Sequence, residues 1–201
     1  MSKYLSIAKI SEGFYKEKGS KFFAFAVPCK TEEEVKAFIQ AKRKEHHQAV
    51  HVCSAFRLGS DKKLYRSSDD GEPSNSAGPP ILGQIQSFDV TNILIVVVRY
   101  FGGVKLGVGG LISAYKTAAQ MALENANIIE KTIDKHFLIH FDYKNMNKVM
   151  RIIKEKKIAI VNQKMEMSCE IEIKTRKKNT DIIIEIFENL FEITIQEKEE
   201  L

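Results

Sequence analysis

Hydrophobic and polar positions along this chain change their rhythm several times, and each change marks an element. Leu5 to Tyr15 and Lys21 to Val27 alternate or run apolar. They read as two strands joined around Lys18-Gly19, a hairpin-like signal. Thr31 with Glu34 forms a capping box, after which Val35, Phe38 and Ile39 recur at helical spacing through about Glu45. His51 to Leu58 reads as a strand, and Lys62 to Arg66 as a short one beyond a Gly59-Ser60-Asp61 turn. Ser76 to Gln86 is predicted helical, its entry set by Ala77-Gly78-Pro79-Pro80 because proline is tolerated in a first helical turn. Asn92 to Arg99 is β-branched on both faces, the pattern of a buried central strand. From Val108 to Asn125, Leu111, Ala114, Ala118, Met121 and Ala122 line one face of a helix entered directly from glycines.

Beyond Gly110 the chain has no glycine and no proline, while isoleucine, lysine and glutamate rise. That shift places a domain boundary near Glu130, giving an N-terminal domain over 1–130 and a C-terminal one over 131–201. The second part reads as strand Lys135 to Asp142, helix Asn145 to Lys156, strands Ile158 to Lys164 and Ser168 to Thr175, helix Thr180 to Asn189 and strand Phe191 to Glu197. This βαββαβ order is ferredoxin-like and is shared with RNA-recognition modules. The stacked aromatics of the RNA-recognition motif are missing. The fold class expected is α+β in two domains, and such a fold by itself assigns no function.

Composition narrows the picture modestly. The 201 residues are 44% hydrophobic and 28% charged, ordinary for a globular protein. Runs such as Ile93 to Val98 are far short of the roughly 20 apolar residues a bilayer helix needs. The leading residues carry no secretory or organellar address, so the expectation is a cytoplasmic protein without membrane contact. Cys29, Cys53 and Cys169 are odd in number and widely spaced, which fits reduced thiols. A net charge of +5 favours anionic partners, RNA or the ribosome among them, or an acidic protein. Two basic clusters sharpen this: Lys148, Arg151, Lys154, Lys156 and Lys157, then Lys174, Arg176, Lys177 and Lys178. Each also reads as a solvated helix face or loop.

Two segments concentrate the candidate chemistry. Nine of the eleven glycines lie between Gly59 and Gly110, and every proline but Pro28 lies between Pro73 and Pro80. In the second segment a buried strand, the Tyr100 to Gly107 loop and a helix N-terminus follow one another. Unpartnered amides and the helix dipole there would attract phosphate or carboxylate. The candidate anion- or nucleic-acid-binding set is Arg99 and Lys105 with Gly102, Gly103, Gly107, Gly109 and Gly110. The alternative is that these glycines let the helix pack closely on the sheet. Neither a GxxxxGK[ST] loop nor GxGxxG is present. In the first segment Asp69, Asp70 and Glu72 sit beside Ser74 and Ser76. Such carboxylates could hold magnesium or act as acid and base, but they also describe a tight turn in which Asp caps backbone amides. His46, His47 and His51 lack the Glu of an HExxH pattern. His51 and Cys53 share a strand face, a Cys/His pairing that also occurs in cores. No catalytic residue, metal or cofactor is assigned.

Asp69-Asp-Gly-Glu-Pro-Ser74 with Ala77-Gly78, and Val98-Arg-Tyr-Phe-Gly-Gly103 with Lys105-Leu-Gly107 and Gly109-Gly-Leu111, resemble the YigZ/IMPACT family, as do Lys18 to Phe22 and His51 to Arg57. The resemblance covers nearly the whole chain. It implies an N-terminal domain folded like the second domain of a small-subunit ribosomal protein, with a left-handed βαβ crossover, and a ferredoxin-like C-terminal domain. The pair looks like domains four and five of elongation factor G, which suggests ribosome or RNA contact without DNA specificity. Eukaryotic relatives regulate translation by competing for the activator of an amino-acid-starvation kinase. No catalytic activity is established for the family. Asn75 and Ser76 stand where it usually has Gly and Thr, and Ser113 where many members have Arg, a change that removes a cation from the proposed anion site.

Overall fold

Residue by residue, the strand Ile93–Tyr100 (β6) shows why the N-terminal part folds around it. Ile93, Ile95 and Val97 point into one core, with Ile81, Ile85, Ala114, Ala118 and Ala122, while Leu94, Val96 and Val98 point into a second with Val35, Val52 and Phe56. Period-two alternation divides a wholly apolar strand between two cores. Each isoleucine, leucine, valine and phenylalanine among them contributes roughly 1.5–3 kcal/mol on burial. The structure, a computed structural model, describes residues 3–198.

Around β6 lies a five-stranded antiparallel sheet in the order β2-β3-β6-β4-β5, with β2 Ser11–Glu17, β3 Ser20–Pro28, β4 His51–Leu58 and β5 Leu64–Ser68. Helix α1 (Glu32–Glu45) contributes Val35 to the second core; α2 (Gly78–Ser87) and α3 (Gly107–Glu124) pack into the first. The cap of α1 matches its sequence signature. Thr31 Oγ1 accepts from the Glu34 amide at 3.2 Å, and Glu34 Oε2 accepts from the Lys30 amide at 2.6 Å.

One expected strand divides. Leu5 to Tyr15 separates into β1 (Lys3–Ile7) and β2, because β1 leaves the large sheet and pairs with β7 (Ile128–Thr132). The Ala8 amide donates to the Asn127 carbonyl at 2.9 Å, which seals that pairing. A strand at Ile128–Thr132 carried no expectation, since five half-exposed residues show no clear alternation.

The chain divides into two compact units, one spanning Tyr4–Lys131 and the other running from Thr132 and including Lys3. In the second, β8 (Asp134–Asp142), α4 (Met146–Glu155), β9 (Ala159–Lys164), β10 (Ser168–Arg176), α5 (Thr180–Glu188) and β11 (Ile193–Lys198) follow the βαββαβ order read from periodicity. The sheet runs β11-β8-β10-β9, all antiparallel. Phe137, Ile139, Phe141, Ile171 and Ile173 alternate onto Val149, Ile153, Ile183 and Phe187 of the helices. The opposite face carries ion pairs, as His136 with Glu172 at 2.9 Å and Lys198 with Glu172 at 2.7 Å.

Candidate functional site

The acidic turn after β5 is built by its own side chains. Asp69 Oδ1 accepts from the amides of Ala77 and Gly78 at 3.0 and 2.8 Å, and its Oδ2 from the Asn75 amide at 2.8 Å. The residue before α2, Ala77, offers no side-chain cap, so Asp69 supplies one from eight residues upstream. Burial works to raise the Asp69 pKa, but the amides of Gly78, Asn75 and Ala77 outweigh it and hold the carboxyl below its ordinary value. Asp70 faces the other way. Its Oδ2 accepts from the Val52 amide at 2.6 Å and its Oδ1 from Arg43 Nη2 at 2.7 Å. Asn75 has φ +63, a left-handed conformation that asparagine tolerates as glycine does. Ser76 is fully buried with its hydroxyl on the Pro73 carbonyl at 2.6 Å, a bond that threonine could also make. Ser74 is exposed.

Glu72 joins the two sequence segments. Its Oε1 accepts from Arg99 Nη1 at 2.6 Å and from the Tyr115 hydroxyl at 2.7 Å, so the turn, the end of β6 and the third turn of α3 meet at one carboxylate. All three residues are buried, at 8%, 6% and 0% exposure. The rings of Phe22 and Phe101 stand 5.7 and 5.8 Å from the Arg99 guanidinium carbon. This corrects the expectation that Arg99 offers a free cation to a ligand. Arg99 lies on the β6 face of Ile93, Ile95 and Val97, which turns toward α3, and a desolvated guanidinium is held there only with a paired carboxylate. Beside it, His51 Nδ1–H donates to the Asp70 carbonyl at 2.7 Å and Nε2 lies 3.7 Å from Glu72 Oε2. The Cys53 thiol, pushed up by burial, donates to the Asp69 carbonyl at 3.0 Å.

The glycine-rich loop does two different things. Gly102 is a packing glycine: a Cβ there would fall 1.9 Å from the carbonyl carbon of Gly19, and its amide donates to Ser20 Oγ at 3.2 Å. Gly103, Gly107 and Gly109 face open space. Gly103 and Gly107 have φ of +87 and +72, which accounts for glycine at those two positions. Gly109 has neither a positive φ nor a neighbour, although it lies inside α3, where glycine costs roughly 0.5–1 kcal/mol relative to alanine. A Cβ added at Gly110 would lie 3.1 Å from the Cβ of Leu106. The residue at the N-cap, Leu106, gives the helix no side-chain hydrogen bond. Lys105 is exposed, and Phe101, Val104 and Val108 are each half exposed.

Glu72 thus brings the acidic turn onto Arg99 at the foot of the loop and onto Tyr115 of α3, while the distal glycines remain open to solvent. The carboxylates of the turn accept from amides, from the Arg43 and Arg99 guanidinium groups and from the Tyr115 hydroxyl, the bonding of a tight turn that caps its own backbone. Among the described residues no group of three or more His, Cys, Asp or Glu side chains could hold a metal. His46 is instead packed among Phe23, Phe25 and Tyr100, with Nδ1 2.9 Å from the Tyr100 hydroxyl. Sequence reasoning missed Tyr115 and Arg43. A tyrosine among the small residues facing the core between Leu111 and Ala122 was the available signal for the first; an arginine in a charged helix offers none.

Residues 18–123 match the Impact N-terminal domain family, a span that holds both signature segments and all the residues just described. The chain belongs to the IMPACT family. Among IMPACT relatives, YvyE of Bacillus subtilis is 30% identical over 90% of this chain and 84% of its own, and YigZ of Escherichia coli is 34% identical over 72% of each. A crystal structure described only as that of a hypothetical protein superposes over the full length of both chains, at 27% identity and a TM-score of 0.77. The IMPACT signature is therefore a structural clasp, closed by Glu72, from which a glycine-bearing loop projects.

Proposed function

We propose that this IMPACT-family protein is a translation-associated binding protein, which uses the open end of its glycine-rich loop to contact RNA phosphate on the ribosome. The carrying observation is Gly109, a helical glycine that neither backbone conformation nor packing within the chain explains. Close approach by a partner accounts for it. The free amides of the first turn of α3, the exposed Lys105 and the absence of a side-chain cap give that partner's phosphate its ligands. Family membership supports a role in translation, since the resemblance read from the signature strings extends to eukaryotic regulators of that process. The expected folds, one of ribosomal-protein type and one ferredoxin-like, agree with such a role.

Co-sedimentation with ribosomes across a salt series tests the reading. Binding should fall steeply with salt, and Lys105→Glu should weaken it about tenfold. Gly109→Ala should weaken binding while stabilising the fold by up to about 1 kcal/mol, a combination that a packing role does not produce. Full ribosome binding by both variants would end the proposal. The half-exposed Phe101, Val104 and Val108 favour a second reading, an acidic protein partner docked on the same loop. Co-purification that survives nuclease but not Lys105→Glu would select it.

A further inference from the structure

Two basic runs that are separated in sequence line one groove in the second unit. Lys156 and Lys157 reach it from the end of α4, and Lys174, Arg176 and Lys178 from β10 and the turn that follows. The groove measures about 540 Å³. Its one carboxylate, Asp134, is paired with Lys174 at 2.9 Å, and among the described residues the other four cations have no carboxylate partner. A second groove of about 540 Å³ adjoins it, sharing Lys157 and Ile158. This one has an apolar floor of Met150, Ile153 and Ile158, with Arg151 and Lys154 on its rim.

Helix electrostatics explains part of this cluster and is opposed by the rest. Lys154 and Lys156 close the C-terminus of α4, where a cation is favourable. Arg176, Lys177 and Lys178 immediately precede the N-terminus of α5, where a cation is unfavourable. That helix has no side-chain cap, and the buried hydroxyl of Thr180 at its first position has no hydrogen-bond partner. An anion in the groove would offset the repulsion between these cations and the start of α5. Lys157 itself has φ +52 at the position after the α4 cap, with the Ile158 amide on the Ile153 carbonyl at 2.9 Å. Glycine is the usual residue in such a left-handed closure. The lysine there carries its charge to the junction of the two grooves.

We infer that this pair of grooves is a second site, which binds the phosphodiester backbone of single-stranded RNA with phosphates in the basic groove and bases over the apolar floor. The inference extends the translation-associated reading to the other unit but does not depend on the glycine-rich loop. Alternation of cationic rim and apolar floor suits a chain that presents phosphate and base in turn. An acidic peptide presents no planar apolar group at each charge.

Fluorescence anisotropy of the full chain with a labelled single-stranded RNA of about 12 nucleotides provides the test. Wild type should bind with affinity falling linearly in log salt, and removing one phosphate-binding cation should reduce that slope by roughly 0.7. Arg176→Glu with Lys178→Glu should lower affinity at least about tenfold, and the milder Lys178→Gln should lower it less, with thermal melts unchanged. Lys36→Glu, on the exposed face of α1, should leave this oligonucleotide's affinity intact, and since Lys105→Glu is read by ribosome co-sedimentation, failure here and failure of the ribosome reading are separable. Unchanged affinity and slope in the doubly reversed variant overturn the inference. So does equal or tighter binding to phosphatidylserine vesicles or to polyglutamate that the same reversals abolish.

Discussion

The acidic turn and the glycine-rich loop are alike in composition and opposite in use. Both are rich in small and turn-forming residues, and both belong to the family signature. Yet the turn directs its carboxylates inward onto amides, Arg43, Arg99 and Tyr115, whereas beyond Gly102 the loop leaves its glycines and Lys105 in solvent. A motif rich in Asp, Glu and Gly is therefore not one site but a clasp and what the clasp holds out. Side chains with satisfied hydrogen bonds fix geometry, and those without remain available to a partner.

The contrast breaks hardest at Glu72. Glu72→Ala leaves the buried Arg99 uncompensated and should destabilise the fold by about 3–5 kcal/mol, read from the urea midpoint. A loss under about 1 kcal/mol would mean that water reaches Arg99 and that the clasp is not closed. Gly102→Ala comes next, because its methyl group would meet the Gly19 backbone. Overpacking of this kind costs roughly 1–3 kcal/mol, and a neutral result would deny the close approach.

Asp69→Asn keeps the shape but turns one of the two accepting oxygens into a donor facing an amide. We expect a loss of about 0.5–2 kcal/mol at neutral pH, the range for a helix cap. The pH dependence has a definite sign. The folded-state pKa of Asp69 is depressed, so its contribution is present above the unfolded value of about 3.9 and disappears as pH falls through the folded one. The difference between wild type and Asp69→Asn should therefore shrink below about pH 4. A constant difference across that range would detach the carboxylate charge from the cap.

Gly109→Ala sharpens the comparison from the other side. Stability should rise by up to about 1 kcal/mol in thermal melts, opposite in sign to Gly102→Ala seven residues away. Destabilisation would return Gly109 to a packing role. The smallest effect belongs to the thiols. Cys29, Cys53 and Cys169 are all buried, with Cys29 pushed up to about 12 by burial and by Glu34, so native protein should resist alkylation until denaturant is added. Rapid labelling of Cys53 in native protein would show that the turn opens.

Most elements were legible in the chain because they are local. A capping box at Thr31 and Glu34, alternation in β8 and β10, and the doubly apolar β6 each follow from period and propensity alone. Where the sequence misled, the cause was long-range pairing: β1 separates from β2 because Ile128–Thr132 arrives beside it from over a hundred residues away. The signature strings marked the right region, but not the direction in which its side chains point.

What the amino acids alone determined was the set of groups available: three carboxylates, two cations, an uncapped helix start, two lysine-rich runs and a division near residue 130. Only tertiary structure decided which of them neutralise one another. Arg99 sits one residue from the end of a buried strand, and the pairing of β4 with β6 together with the closure of the turn on Asp69 carries Glu72 to it. The same folding leaves Lys105 exposed and gathers Lys156, Lys157, Lys174, Arg176 and Lys178 around one groove. Charge is a property of a residue, but whether it faces water, a partner or its own chain depends on distances that local sequence does not contain.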